Sequence, residues 1–456
     1  MLVRFTVSNY RSFLDVQEFT MMAAKHTRHS NHIARISNKR VLKGAVVYGA
    51  NAAGKSNLIK AIKFGQNIVF DGITPGALYN RHFRIDPDAL NRPGFFQYDF
   101  YSNGHFYTYG VSISYSRNVI LSEWLIRVDN GNEVRVFERC ENQRIETDHV
   151  FNSIESQHRF EIYAADVSDK KTFLSEITSH KLEEQDDFAD YYNAISWFGR
   201  LLVIFPQTKY NGYDQYISND SLNSITDLMR YFDTGIESVR GEEKNIEDVF
   251  SFLPDSLKNE IIDDIRNEFE KENIEETADG TPFSVNIRIE GRMFSIFRRD
   301  ERLYANELVM SHGNDSDLFD ISDESDGTKR LFDLVPLYKK VEQAPVILVD
   351  ELDRSFHTKL TFEFIKRFFE TTSESEAQLI VTLHDANVLD LSLLRQDEIW
   401  FAERQENHST KLYSLNKFKQ RFDRAIEKEY LLGRYGALPI FGACSWCEVR
   451  KDAESL

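Results

Sequence analysis

One stretch limits what this chain can fold into more than any other: Gly49-Ala50-Asn51-Ala52-Ala53-Gly54-Lys55-Ser56. It carries the spacing G-x-x-x-x-G-K-[ST] of a loop that cradles phosphates. Ala45-Val46-Val47-Tyr48 precedes it, short and apolar like a strand buried on both faces. Asn57-Leu58-Ile59-Lys60-Ala61-Ile62-Lys63 follows, with Leu58, Ile59 and Ile62 at helical spacing. Strand, glycine loop and helix are the context that the motif needs. Its glycines let backbone N–H groups turn inward around a polyphosphate, and the helix N-terminus adds positive potential. The spacing places Lys55 on the β- and γ-phosphates of ATP and makes Ser56 a Mg²⁺ ligand. Asn51, Ala52, Ala53, Gly54 and Asn57 complete the expected cradle. The bland alternative is a chance glycine-rich turn ahead of a core helix, and it must meet eight positions and both flanks at once.

A second acidic motif fits the first. Val346-Ile347-Leu348-Val349 reads as a buried strand, and Asp350-Glu351 emerges at its C-terminal end. Open α/β sheets bind ligands at that edge. Asp350 is a candidate for holding Mg²⁺, and Glu351 for polarising the attacking water as general base. A strand ending in two acids is common by chance. Its weight comes from following a matching phosphate loop.

With 456 residues there is room for two or three ordinary domains, or one large domain with an insertion. A 41% hydrophobic and 13% aromatic content supports a substantial core. The net charge of −18 excludes a global basic footprint for nucleic acid. The charge is uneven, however. No Asp or Glu lies between Glu18 and Asp71, while Lys25, Arg28, Arg35, Lys39, Arg40 and Lys43 do. Either a phosphate-rich ligand sits against that interval, or these are solvated loop residues. Cys140, Cys444 and Cys447 are too few for a disulfide framework, which points to a reducing compartment. Cys444 and Cys447 form a lone C-x-x-C without a second pair for zinc, so incidental thiols are expected. The N-terminus lacks the apolar region of a signal peptide, and no window suits a membrane span. A cytoplasmic chain is the expectation.

In order, residues 2–7 alternate like a strand, and 16–21 supply its hairpin partner. Residues 25–43 are expected to form a loop or short helix. A helix over 56–70 follows the phosphate loop. Residues 95–139 read as an antiparallel meander, with turns at Ser102-Asn103-Gly104 and Asp129-Asn130-Gly131. Residues 165–275 read as mostly helical and acidic, 282–306 as strands again, and 328–340 as a helix. Parallel-type strands are expected at 345–349, 378–382 and 397–402. The expected organisation is an N-terminal lobe over 1–150, an inserted helical region over 151–280 as partner or dimer surface, and a C-terminal lobe over 281–456.

Asp350-Glu351-Leu352-Asp353-Arg354-Ser355-Phe356-His357 adds a resemblance. The chain resembles the ATP-binding-cassette ATPases of the RecF and structural-maintenance-of-chromosomes branch, AAA_15-type proteins included. The resemblance implies an α/β head with an antiparallel meander and inserted helices. It also implies four features beyond the two loops. Asp353 matches an aspartate (the D-loop) that crosses a dimer interface. His384, in Val381-Thr382-Leu383-His384-Asp385, matches a switch histidine that senses the γ-phosphate. Ser325 and Gly327, in Ser322-Asp323-Glu324-Ser325-Asp326-Gly327-Thr328, match the signature that reaches ATP held by the other subunit; Glu324 and Asp326 depart from the usual pattern. Arg11, in Asn9-Tyr10-Arg11-Ser12-Phe13, matches a nucleotide-side loop. Lys55, Glu351 and His384 are then the catalytic candidates. No Q-loop glutamine stands out; Gln97 and Gln207 are weak candidates.

Glu429-Tyr430-Leu431-Leu432-Gly433-Arg434-Tyr435-Gly436-Ala437-Leu438-Pro439 looks like the stand-alone bacterial anti-phage ATPases. These are similar to the ATPase half of overcoming-lysogenization-defect proteins, to AriA of PARIS, to RloA-type proteins and to PtuA of Septu. That resemblance implies a homodimer through sandwiched ATP, or a higher homo-oligomer. It further implies a separate effector nuclease of Toprim or HNH type, and a phage-encoded trigger. The alternative is a RecF-like repair ATPase that binds DNA directly.

Overall fold

The computed structural model describes residues 1–26, 28–129, 131–140, 144–180, 186–208, 219–250, 253–272, 284–289, 292–299, 302–314, 316–341, 346–418 and 426–438. Cys444 and Cys447 lie outside them, as does Asn130 of the second expected turn. The chain divides into two units. One spans 1–206, 342–353 and 362–456; the other spans 207–341 and 354–361.

In the first unit, Gly44–Tyr48 is a strand buried at all five positions. It runs parallel to Gln378–Thr382 on one side and to Ile399–Arg404 on the other. Val346–Val349 lies beyond Gln378–Thr382, and Leu201–Ile204 forms that edge, both parallel. Thr410–Ser414 closes the opposite edge antiparallel. The strands that end at Tyr48, Val349 and Thr382 therefore deliver their following residues to one sheet edge.

A second sheet of seven antiparallel strands holds the expected meander. Its order is Ile145–Glu146, Asn132–Arg139, Val119–Asp129, His105–Ser114, Gly94–Ser102, Leu2–Ser8, Gln17–Thr20. Helix Lys55–Asp71 buries Leu58, Ile59, Ile62 and Val69 in one core with Phe5, Tyr98 and Phe100 of this sheet. Phe160, Phe173, Tyr191 and Trp197 join the same core. The unit therefore runs on to residue 206, past the expected boundary at 150. Gln378, fully buried, stitches the two sheets: its Nε2 donates to the Leu2 and Leu42 carbonyls at 2.9 and 2.7 Å.

The basic interval is a hairpin rather than the expected loop or short helix. Ile33–Ile36 pairs with Lys39–Leu42, and Ser37 makes the turn at φ 53°. The fully buried Arg395 anchors it, donating to Asp397 at 2.9 and 2.8 Å and to the Arg28 carbonyl. His32 Nδ1 lies 3.0 Å from Glu398 Oε1, and its ring stacks 3.5 Å from that of Phe369. Burial chiefly holds His32 uncharged, with its pKa down to about 3, and pushes the Glu398 carboxyl well up. Lys43 is no surface cation: its Nζ donates to the Thr372 and Ser373 carbonyls at 2.7 and 2.6 Å. Lys25, Arg28 and Arg35 remain exposed.

The second unit is built on antiparallel strands in the order Ser238–Asn245, Arg302–Ser311, Arg292–Arg299, Ser284–Ile289. Helix Asp255–Glu272 packs Ile262, Ile265 and Phe269 onto Phe294, Ile296 and Ala305. The segment expected to be mostly helical thus includes the strands Leu201–Ile204 and Ser238–Asn245. The expected helix over 328–340 is two pieces, Asp326–Leu334 and Leu337–Lys340, with Pro336 between them. No helix among the described residues is long and apolar enough to cross a membrane.

Candidate functional site

The phosphate loop reverses the chain between its strand and its helix. Gly49 (φ 154°) and Gly54 (φ 107°) take backbone conformations that suit glycine, and Ala52 is at φ 61°. A Cβ on Gly54 would also lie 2.1 Å from Thr410 Oγ1 and 2.9 Å from Ser12 Oγ. Those two hydroxyls support the end of the loop. Thr410 Oγ1 is 2.8 Å from both the Ala53 carbonyl and Ser12 Oγ, and Asn57 Nδ2 donates to Ser12 Oγ at 2.7 Å. Helix Lys55–Asp71 has no side-chain cap and no acid in its first turn, so its positive end is left for an anion.

Lys55 is 4% exposed. Its Nζ donates to the Gly49 carbonyl at 2.6 Å and the Ala50 carbonyl at 3.3 Å, and approaches His384 Nδ1 at 3.3 Å. Burial lowers its pKa, opposed by the charges of Asp353, Asp350 and Glu351. Its ammonium is thus held at the mouth of the loop by neutral acceptors.

The acids come from the neighbouring strands. Asp350 is 2% exposed, and its Oδ1 accepts the Thr382 hydroxyl at 2.7 Å. Glu351 sits at φ 51°, a strained setting for its residue type, and its N–H donates to the same Thr382 Oγ1 at 2.7 Å. His384 Nε2 stands 3.6 Å from Glu351 Oε1. Asp353 turns inward: its Oδ2 accepts the backbone N–H groups of His384 and Asp385, each at 2.7 Å.

Together these residues bound a cleft of about 980 Å³, lined by the whole loop 49–57, Glu351, His384, Ala386, Tyr430, Leu431 and Leu438. Asn51, Ala52, Ala53, Gly54, Lys55, Ser56, Asn57, Glu351 and His384 are therefore brought together, with Asp350 and Asp353 behind them. The volume suits a nucleotide-sized ligand. A buried lysine, helix N–H groups without a side-chain cap, the Ser56 hydroxyl on the lining and the buried Asp350 carboxylate, near enough for its charge to act on Lys55, are a set of groups that fits a magnesium-bound polyphosphate.

Arg11 is not among the lining residues. Its N–H donates to the Arg81 carbonyl at 2.7 Å and its Nε to the Tyr10 hydroxyl at 3.2 Å. The part of the Asn9–Phe13 loop that reaches the phosphate loop is Ser12. Gln97 is occupied at Asp99 Oδ1, 3.1 Å away, and Gln207 belongs to the second unit. Ser325 and Gly327 also lie in the second unit. Ser325 caps helix Asp326–Leu334, accepting the Thr328 N–H at 3.1 Å. A Cβ on Gly327 would meet the Ser355 carbonyl at 2.9 Å, so close packing alone accounts for that glycine. The unusual Glu324 is tied to His312 Nε2 at 2.7 Å.

Sequence reasoning assigned no role to Thr382, Ser12, Thr410 or the Tyr430–Leu438 ledge. A threonine ending an apolar strand just before Leu383-His384-Asp385 was the one available signal.

Comparison with known proteins gives loose structural matches. The chain is similar to a Smc head bound to the C-winged helix domain of ScpA (15% identity, 91% of this chain and 97% of that one, TM-score 0.42). It is similar to a Thermotoga maritima SMC head domain (14%, 91% and 98%, 0.36). A third match is a Smc head with an extended coiled coil bound to the C-terminal domain of ScpA, derived from Pyrococcus furiosus (13%, 95% and 98%, 0.39). No curated protein matches in sequence. A family model described as "AAA domain, putative AbiEii toxin, Type IV TA system" covers residues 45–390, from the phosphate-loop strand to just past the His384 loop. By that match, which takes in every cleft residue except the C-terminal ledge, the chain belongs to this family of AAA-type ATPases.

Proposed function

We propose that this chain hydrolyses ATP with Mg²⁺ and serves as the sensor and scaffold subunit of a bacterial anti-phage, abortive-infection system. In that reading it holds a separate effector nuclease, preferably of Toprim type, and releases it when a phage-encoded trigger is sensed. The observation that carries the ATPase part is the convergence of Lys55, Glu351 and His384 on one cleft, with Asp350 directly behind. Ser56 and Asp350 would hold Mg²⁺, which supplies charge neutralisation on the phosphates. Lys55 and the loop N–H groups bind the anionic tail, Glu351 takes the proton of the attacking water, and His384 senses the γ-phosphate. The family description supports the abortive-infection part.

ATP works as adhesive in this scheme. Each nucleotide lies on the phosphate loop of one copy and meets Ser325 and Gly327 of a second, with Asp353 near the seam, giving a homodimer or larger ring. Purification with the product of the adjacent gene tests the scaffold role. An ATP-dependent complex with a Toprim- or HNH-type nuclease is expected. Salt-dependent DNA binding by the isolated chain, with no such complex, would instead favour a RecF-like repair ATPase. The exposed Lys25, Arg28 and Arg35 on and beside the hairpin favour that second reading, and the overall charge of −18 opposes it.

His384→Ala is expected to cut ATP turnover by about tenfold to a hundredfold while ATP affinity changes by less than about threefold. Parallel titration and steady-state kinetics measure the two quantities. Equal losses in both would remove the sensing role.

A further inference from the structure

Beneath the loop that carries His384, two polar atoms are buried with no protein partner: the Tyr48 hydroxyl and Asp353 Oδ1. Buried polar atoms are nearly always paired, so each exception needs a reason. Tyr48 ends the phosphate-loop strand and is 1% exposed. Val47 pairs with Thr382 and the Leu383 N–H donates to the Val47 carbonyl at 3.1 Å, so Tyr48 leaves the sheet beside Leu383, one residue before His384. Asp353 arrives at the same place from the neighbouring strand, where its Oδ2 already holds the N–H groups of His384 and Asp385. The charges of Asp353 and Asp385 reinforce burial, the main cause, in raising the Tyr48 hydroxyl well above its ordinary pKa.

The geometry points to Tyr48 as a positioning residue for the switch histidine: its hydroxyl donates to Asp353 Oδ1 when the cleft fills, completing a latch inside one chain that sets the His384 loop for hydrolysis. This rests on the ATPase reading above. Hydrogen bonds that serve catalysis are often long or open in the empty enzyme and tighten in the loaded complex. The latch gives Asp353 a task in its own subunit, whereas the family resemblance implied one across a dimer seam. It would also give the phosphate-loop strand a direct handle on the switch, because Tyr48, one residue before Gly49, would then bond to the carboxylate that holds the His384 loop. Lys55 and Glu351 flank that histidine at 3.3 and 3.6 Å, so a small turn of the loop would change which of them it favours.

Tyr48→Phe removes one oxygen and keeps the ring. We expect kcat for ATP hydrolysis to fall about tenfold, KM to stay within about twofold, and the thermal midpoint to hold. Asp353→Asn should act in the same direction and at least as strongly, since it also weakens the hold on the His384 and Asp385 N–H groups, and the double variant should be no slower than Asp353→Asn alone, because the Tyr48 contact is already lost there. Wild-type kcat in Tyr48→Phe, or losses that multiply in the double variant, would overturn the latch. Should Tyr48→Phe fail to fold, Tyr48→Met, which also lacks the hydroxyl, is read in the same way: a lowered kcat at constant KM supports the latch, and an unchanged kcat ends it. Failure of the underlying ATPase reading looks different, because then the unmodified chain binds no ATP and Lys55→Ala behaves identically to it.

Discussion

Lys55→Ala is expected to weaken ATP binding by roughly a hundredfold and to bring hydrolysis to background. The ammonium is buried, and among the described residues its hydrogen-bond partners are two carbonyls of its own loop and the His384 ring. Truncating one member of a buried charged pair costs about 2–5 kcal/mol, which spans the predicted loss. The fold should survive, since Leu58, Ile59 and Ile62 hold the helix in its core without help from residue 55. Calorimetric titration with ATP, alongside a far-ultraviolet spectrum, separates lost binding from lost structure. ATP binding at the unmodified affinity would sink the phosphate-loop assignment.

Glu351→Gln should do the opposite to binding and still stop turnover. Gln keeps the shape of the side chain but cannot take a proton, and general-base catalysis contributes about 10²–10⁴-fold. Nucleotide should then persist in the cleft. If a second copy completes the pocket, light scattering should report a doubled mass with ATP and the monomer mass without it. A variant that stays monomeric in saturating ATP would argue against the sandwich, and one that hydrolyses normally would remove Glu351 as the base. The two substitutions also discriminate between each other's failures: Lys55→Ala tests the anion site, and Glu351→Gln tests what happens after it is filled.

The elements that position this site were legible because they are local and strongly patterned. Gly44–Tyr48, Lys55–Asp71, Val346–Val349 and Gln378–Thr382 fall within a residue or two of their expected bounds. The meander announced itself by alternation and an Asn-Gly turn. What escaped depends on distant partners. Leu201–Ile204 is a strand because Val346–Val349 lies beside it, and no short-range pattern sets it apart from the preceding helix. Ser238–Asn245 is so polar that only its pairing with Arg302–Ser311 makes it a strand. The hairpin in the basic interval was hidden by reading its cations as a loop composition, although Arg395 and Glu398, more than 350 residues on, pin it. Among the site residues, motif spacing pointed to loop 49–57, Glu351 and His384 on the lining and to Asp350 and Asp353 behind it, but was silent on Ala386 and the Tyr430–Leu438 segment, which also line the cleft, and on Thr382. Arg11, matched by motif to the nucleotide side, bonds instead to Arg81 and Tyr10 in this structure, while its neighbour Ser12 braces the phosphate loop through Asn57 and Thr410.

Thr382 ties two jobs to a single oxygen. The same hydroxyl donates to Asp350 and receives the N–H of Glu351. Any shift of that hydroxyl therefore reaches the Asp350 carboxylate and the backbone at residue 351 together. The Glu351 carboxylate answers to a different neighbour, His384 at 3.6 Å, so backbone and side chain of one residue are set by separate contacts.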